Sequence, residues 1–81
     1  MVKTFRVVVE NDDQNSIERV AKILRTVLRL SVKDACAMTF DIHNRGSVEV
    51  KSGIPFEPSE HYTKALRAYG LTAEIKELAE S

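Results

Sequence analysis

An α+β fold, with segments in the order β-α-α-β-α-β, is what this sequence predicts, and three observations carry it. Three short stretches are rich in β-branched residues or alternate polar with apolar, at 5–10, 47–51 and 71–78. The segments between them repeat apolar residues at helical spacing. Three strands of this kind need a cover, and one antiparallel sheet with the three helices packed on one face is the simplest solution.

The first strand, Phe5-Arg6-Val7-Val8-Val9-Glu10, has an unbroken apolar run, which predicts a central strand or one buried on both sides. Seven polar residues follow, Glu10-Asn11-Asp12-Asp13-Gln14-Asn15-Ser16; Asn and Asp suit a strand-to-helix turn because they bond their own backbone and tolerate left-handed geometry. Asn15 reads as the cap of the first helix, with Glu18 reaching back, and Ile17, Val20, Ala21, Leu24, Val27 and Leu28 as the buried stripe. That helix is expected to end near Leu30. Ser31 then caps a second, shorter helix with Ala35, Met38, Thr39 and Ile42 inside, stopped by Gly46.

Ser47-Val48-Glu49-Val50-Lys51 alternates, predicting a strand with one wet face. Gly53, Pro55 and Pro58 predict a loop until Pro58, which suits a first helical position. The third helix carries Tyr62, Ala65, Leu66 and Tyr69 on its inner face and closes at Gly70. A third strand follows, then a frayed Ala79-Glu80-Ser81. No repeat or low-complexity segment interrupts residues 1–81, which read as a single domain whose core buries about 60% of the unfolded chain's surface.

Composition narrows the function. Lys and Arg number 12 and Asp and Glu 12, so no global field draws the chain to nucleic acid or to an anionic membrane. Arg19, Lys22, Arg25 and Arg29 fall on the outer side of the first helix, read as a solvated face. No run approaches the ~20 apolar residues of a membrane span, and the first residues lead into a strand rather than a signal peptide. The single cysteine, Cys36, excludes an internal disulfide and reads as a small buried hydrophobe suited to a reducing compartment.

Asp12, Asp13, His43 and His61 are the acid/base candidates, yet nothing links them at the spacing a mechanism needs. There is no nucleophile elbow, no phosphate loop and no metal-type pair of His or Cys on one helix face. The expectation is a protein that is not an enzyme and has no cofactor and no metal. Two adjacent carboxylates and an amide at an element boundary read either as a plain turn or as a pocket for an ammonium group. His43, just before a glycine stop, reads either as a surface residue or as a hydrogen-bonding group at a site.

The run Phe5 to Asp13, the long helix after it, Ala35 through Ile42-His43-Asn44-Arg45-Gly46, and the closing Tyr69-Gly70-Leu71-Thr72-Ala73-Glu74-Ile75 together resemble the ClpS adaptor family. The resemblance covers nearly the whole chain. Its most specific part is an Asn-Asp-Asp turn at the end of strand one combined with a histidine three residues before a glycine after helix two.

The resemblance implies an adaptor that binds N-terminal hydrophobic residues of substrate proteins and hands them to a Clp-type AAA+ unfoldase and protease. Asn11, Asp12 and His43 would hold the substrate's α-amino group, with Asp13 supporting the turn. An ammonium has three donors and no acceptor, which suits an amide oxygen, a carboxylate and a neutral imidazole. A first residue of Leu, Phe, Tyr or Trp would enter a pocket gated by Ile17, walled by Val20 and Ile42 and lined by Thr39, with Asn15 beside it. Glu57, Glu60 and Lys64, near the start of helix three, would dock on the N-domain of the unfoldase. The same likeness implies a monomer in a bacterial cytoplasm or plastid stroma, with no nucleic-acid or membrane partner.

Three departures stand out. Many members carry Thr-Pro-Met where this chain has Asn15-Ser16-Ile17, so a stiff β-branched side chain replaces a flexible one. Thr39 stands where a methionine often lines the wall, predicting a shorter, more polar pocket. Members often have a long N-terminal extension that engages the unfoldase, whereas strand one here begins within a few residues of Met1, so binding without the usual delivery is expected. Two alternatives stay open: a degenerate adaptor that occupies and inhibits the unfoldase without carrying substrate, and a protein-interaction domain like the C-terminal domain of the bacterial ribosomal stalk.

Overall fold

Strand β1 (Phe5–Glu10) buries Val7, Val8 and Val9 in the structure, a computed structural model that describes residues 3–78, while Arg6 and Glu10 on its outer face are half-buried. It lies at the centre of a three-stranded sheet, order β2-β1-β3, antiparallel to both neighbours. Val7 and Val9 point into the core and are fully buried, while Val8 lies under cross-strand neighbours Glu49 and Glu74. The expected tail at Ala79-Glu80-Ser81 lies outside the described residues.

Helix α1 (Ile17–Leu28) starts one residue later than the Asn15 cap implies. Ser16 is the cap: its hydroxyl accepts from the Arg19 N–H at 3.2 Å, which leaves Glu18 a place short of the capping-box position. The buried stripe is Ile23, Leu24 and Leu28, with Val20, Ala21 and Val27 partly covered and Ile17 at the exposed rim. The expected end near Leu30 moves back to Leu28 because Arg29 turns left-handed, at φ 56° and ψ 40°. For a residue with a Cβ this costs roughly 1 kcal/mol.

Helix α2 (Val32–Arg45) follows at once, and at 14 residues it is longer than α1's 12, not shorter. Ser31 caps it as expected, accepting from the Asp34 N–H at 3.1 Å. Gly46 ends it at φ 89°, its N–H donating to the Ile42 carbonyl. Ala35, Thr39 and Ile42 face inward with Met38 beside them, but Cys36 is only half-buried.

Strand β2 (Ser47–Ile54) runs past the expected end at Lys51, because Phe5 continues to pair with Ile54 across an irregularity in register. Gly53, at φ 67°, supplies the backbone freedom there. Helix α3 (Phe56–Ala68) therefore begins at once, with Pro55 as its cap. Pro58 sits in the first turn rather than at its first position; it is tolerated because those N–H groups have no partner inside a helix.

The inner face of α3 is also shifted. Ser59, Thr63 and Leu66 are the buried residues, and Tyr69, expected inside, is 45% exposed. Small hydroxyl residues fit there because each one's donor is satisfied locally: Ser59 Oγ donates to the Phe56 carbonyl at 2.6 Å and Thr63 Oγ1 to the Ser59 carbonyl at 2.8 Å. Strand β3 (Thr72–Glu77) closes the sheet beside β1, with Ala73 and the preceding Leu71 buried. All three helices thus cover one face of a three-stranded antiparallel sheet, as the sequence predicts.

Candidate functional site

The end of β1, the start of α1 and the end of α2 meet at one corner of the fold. Their approach is set by a backbone hydrogen bond: the Asn11 N–H donates to the Gly46 carbonyl at 2.8 Å. Gly46 can present that carbonyl because its left-handed conformation turns the chain sharply out of α2. Asn11 and His43, 32 positions apart in sequence (43 minus 11), thereby share one cleft.

The cleft holds about 250 Å³. Asn11, Asp12, Asp13 and His43 form one side of its lining, and Ile17, Val20, Thr39 and Ile42 supply apolar wall; Asn15 and Ser16 complete it. Every residue that the sequence singled out for an amine-binding group or a side-chain pocket is therefore brought to one concavity. Ser16 is the residue that sequence reasoning missed there. Its signal was present, since serine is as good a helix cap as asparagine.

The turn divides the two carboxylates in a way opposite to expectation. Asp12, not Asp13, supports it: Asp12 Oδ1 accepts from the backbone N–H of Gln14 at 3.0 Å and of Asn15 at 3.1 Å, and from Asn15 Nδ2 at 3.0 Å. Its Oδ2 accepts from Asn15 Nδ2 at 3.2 Å and, at the longer distance of 3.4 Å, from the Thr72 hydroxyl. The reason is geometric, because an Asp can bond N–H groups two and three residues ahead as the chain folds back. Among the described residues, Asp13's carboxylate has neither a hydrogen bond nor an ion pair. Removal from water raises the pKa of Asp12, but the hydrogen bonds from Asn15, Gln14 and Thr72 outweigh it and hold the carboxyl below its ordinary value.

Asn15 is a bracket rather than a cap. Besides Asp12, its Nδ2 donates to the Gly70 carbonyl at 3.1 Å, and its Oδ1 accepts from Arg19 Nε at 2.9 Å. Arg19 in turn donates to the Tyr69 carbonyl at 2.9 Å, so this guanidinium is not simply part of a solvated face. The acidic turn is thus fastened to the junction between α3 and β3, more than fifty residues away.

The apolar wall is less polar than its composition suggests. Thr39 is buried, and its hydroxyl donates to the Ala35 carbonyl of its own helix at 2.7 Å. With that donor satisfied, Thr39 contributes mainly a methyl group's worth of surface. Ile42 is buried behind it, Val20 is half-buried, and Ile17 is 37% exposed at the mouth.

Glu57, Glu60 and Lys64 lie elsewhere. Glu57 is in the first turn of α3, next to Phe56, whose ring stands edge-on to Phe5 at 5.2 Å, at the opposite end of β1 from the cleft. Glu60 and Lys64 follow one and two turns along, bridged at 3.5 Å. Among the described residues no group of three or more His, Cys, Asp or Glu could hold a metal ion, and no helix is long and apolar enough to cross a membrane.

Comparison with known proteins bears on this corner directly. Residues 1–74 match the family model described as ATP-dependent Clp protease adaptor protein ClpS. The ATP-dependent Clp protease adapter protein ClpS of Synechococcus sp. strain CC9902 is 38% identical over 73 residues, covering 89% of this chain and 69% of that protein. Its counterpart in Synechococcus elongatus is 33% identical, covering 89% and 76%. The chloroplastic adapter CLPS1 of Chlamydomonas reinhardtii is also 33% identical, but the match spans 44% of its length. In fold, the chain is similar to Agrobacterium tumefaciens ClpS2 solved with L-phenylalaninamide: TM-score 0.86, 24% identity, 96% of this chain and all of the other. Since the family match runs from strand one through Glu74 and so includes the turn, the histidine and the three helices between the strands, the chain belongs to the ClpS family of Clp protease adaptor proteins.

Proposed function

We propose that this adaptor recognises the first residue of a substrate protein, taking a free α-amino group at Asn11, Asp13 and His43 and an apolar side chain between Ile17, Val20, Thr39 and Ile42. The observation that carries the reading is that polar and apolar linings adjoin in a single cleft, at the scale of one amino acid. In this reading Asp12 keeps the turn folded, and Asp13, with no partner among the described residues, is the carboxylate left to meet an ammonium. A carboxylate and two neutral acceptors match the three donors of that group. Acetylation removes the charge and two of the donors, so a blocked terminus forfeits hydrogen bonds to a charged group, at about 1.5–3 kcal/mol. The phenylalanine amide bound by the Agrobacterium relative has a free amine and an aromatic side chain, which is the chemistry proposed here.

The partner that receives the substrate is proposed to be a Clp-type AAA+ unfoldase, docked through its N-domain at Glu57, Glu60 and Lys64. Their distance from the cleft supports it, since substrate and unfoldase could be held at once by one domain.

The test is fluorescence anisotropy with peptides that differ only in the first residue, Leu, Phe, Tyr, Trp, Arg or Gly, each with a free and an acetylated amine. The expected result is binding of the apolar and aromatic set only with the amine free. Binding indifferent to acetylation would overturn the amine site. No binding to any peptide, with retained competition for the unfoldase, would instead identify an inhibitor that carries no substrate.

A further inference from the structure

A second hollow, between the C-terminal half of α1 and α3, plays no part in the reading above. It holds about 540 Å³, more than twice the cleft's volume, and Val27, Arg29, His61, Tyr62, Ala65 and Tyr69 line it. Tyr62 is half-buried, with Lys51 Nζ 5.3 Å from its ring centroid, and gives the groove an aromatic floor. Tyr69, absent from the core where helical spacing would put it, is part of this wall.

The charge on this groove is one-sided. Lys22 and Arg25 line two smaller hollows that share Thr26 with it, and no Asp or Glu lines any of the three. Among the described residues, Lys22, Arg25 and Arg29 take part in no ion pair. Arg29 adds a backbone argument, being the one non-glycine described residue with a positive φ, at a helix end where Gly or Asn is the ordinary choice. A cation where the backbone disfavours any side chain, on the rim of an aromatic groove, points to a use for its charge.

We propose that this groove docks an acidic segment of a partner protein, its carboxylates on Lys22, Arg25 and Arg29 and an apolar side chain over Tyr62, Ala65 and Tyr69. Charge complementarity chooses the occupant. A nucleic acid fits less well: the chain's charges balance at 12 and 12, and Glu57 and Glu60 on α3 oppose a long polyanion running on past the groove. This inference does not depend on the amine-binding reading of the cleft.

The experiment titrates the 15N-labelled chain, followed by NMR, with three probes. One is an N-acetylated peptide alternating Asp and Glu with Leu and Phe; the second replaces its acids with Asn and Gln; the third is an oligouridylate of matched charge. The acidic peptide is expected to shift the amide signals of Val27, Arg29, His61 and Tyr69 and to leave those of Asn11 and His43 in place. The uncharged peptide should bind at least about tenfold more weakly, and Arg25→Glu and Arg29→Asn should each weaken the acidic peptide severalfold. Arg29→Asn is decisive because asparagine keeps the left-handed turn, so lost binding with an unchanged or raised melting temperature cannot be misfolding. The proposal is overturned by no shift up to about 1 mM acidic peptide, by equal affinity for the uncharged one, or by tighter binding of the oligouridylate.

Discussion

The backbone N–H of Asn11 donates to the carbonyl of Gly46 at 2.8 Å, and with the adjoining Glu10–Ser47 pair of the sheet this bond joins the end of β1 to the end of α2. It sets the spacing between the acidic turn and His43, because both follow from where those two elements stop. Gly46 carries the strain-free left-handed turn that makes the bond possible, and a Cβ built there would meet nothing within 4 Å. Gly46→Ala should therefore cost backbone strain without a clash, roughly 1–2 kcal/mol. Urea denaturation would measure this, and Gly46→Asn should lose distinctly less.

Asn15→Ala should untie the turn from the α3–β3 junction. The carboxamide makes contacts to Asp12, Gly70 and Arg19, all partly exposed, so we expect a loss of about 1–2 kcal/mol. For a chain of this size that lowers the melting temperature by roughly 4–8 °C per kcal/mol, readable by circular dichroism. Unchanged melting would mean that water replaces the bracket without cost.

Asp12 and Asp13 should separate into stability and binding. Asp12's carboxyl titrates below its ordinary value of 3.8 in the folded state, so at acid pH the unfolded chain binds its proton first. The resulting stabilisation is full above that ordinary value and is lost as pH falls through the folded one. Comparing the native chain with Asp12→Asn by urea denaturation across the acid range should show a difference that vanishes at the lowest pH. A constant difference would assign the effect to something other than this ionisation.

Asp13→Asn should leave stability within about 0.5 kcal/mol, as for an exposed residue without partners. Its affinity for a free-amine peptide should nevertheless fall more than about tenfold, the loss of a charge-assisted hydrogen bond. If Asp12→Ala weakened binding in a fully folded protein while Asp13→Asn did not, the roles proposed for the two carboxylates would have to be exchanged.

Ile17→Ala should change selectivity more than stability. At 37% exposure this side chain contributes little to the core, so the cost should stay below about 1 kcal/mol. The range of accepted first residues should widen, because a stiff β-branched group at the mouth is removed. An identical ranking of peptides before and after would show that Ile17 is not the gate.

Features decided within a few residues were legible in the sequence. Strand β1, the Ser31 cap and the Gly46 stop follow from β-branching, a hydroxyl one place before a helical repeat, and the missing Cβ of glycine. The resemblance rested on the Asn-Asp-Asp turn and His43, and the residues it nominated converge on one cleft because the intervening helices have the lengths that bring them round.

Decisions between distant residues were not legible. Whether Asn15 or Ser16 caps α1 depends on Arg19, which is held on the Tyr69 carbonyl and takes Asn15 Oδ1, the atom that would cap; which of Asp12 and Asp13 stays free depends partly on Thr72. Phe5 prolongs β2 to Ile54 and so moves the start of α3. Ser59 and Thr63 are buried on that helix, which ends at Ala68 and leaves Tyr69 as an exposed cap. Local sequence determined the elements, their order and the chemistry available, because propensities and caps act over one or two turns. Only the tertiary structure decided which equivalent side chain was used for the scaffold and which remained without a partner among the described residues, because that choice is made by hydrogen bonds and packing across fifty or more residues of chain.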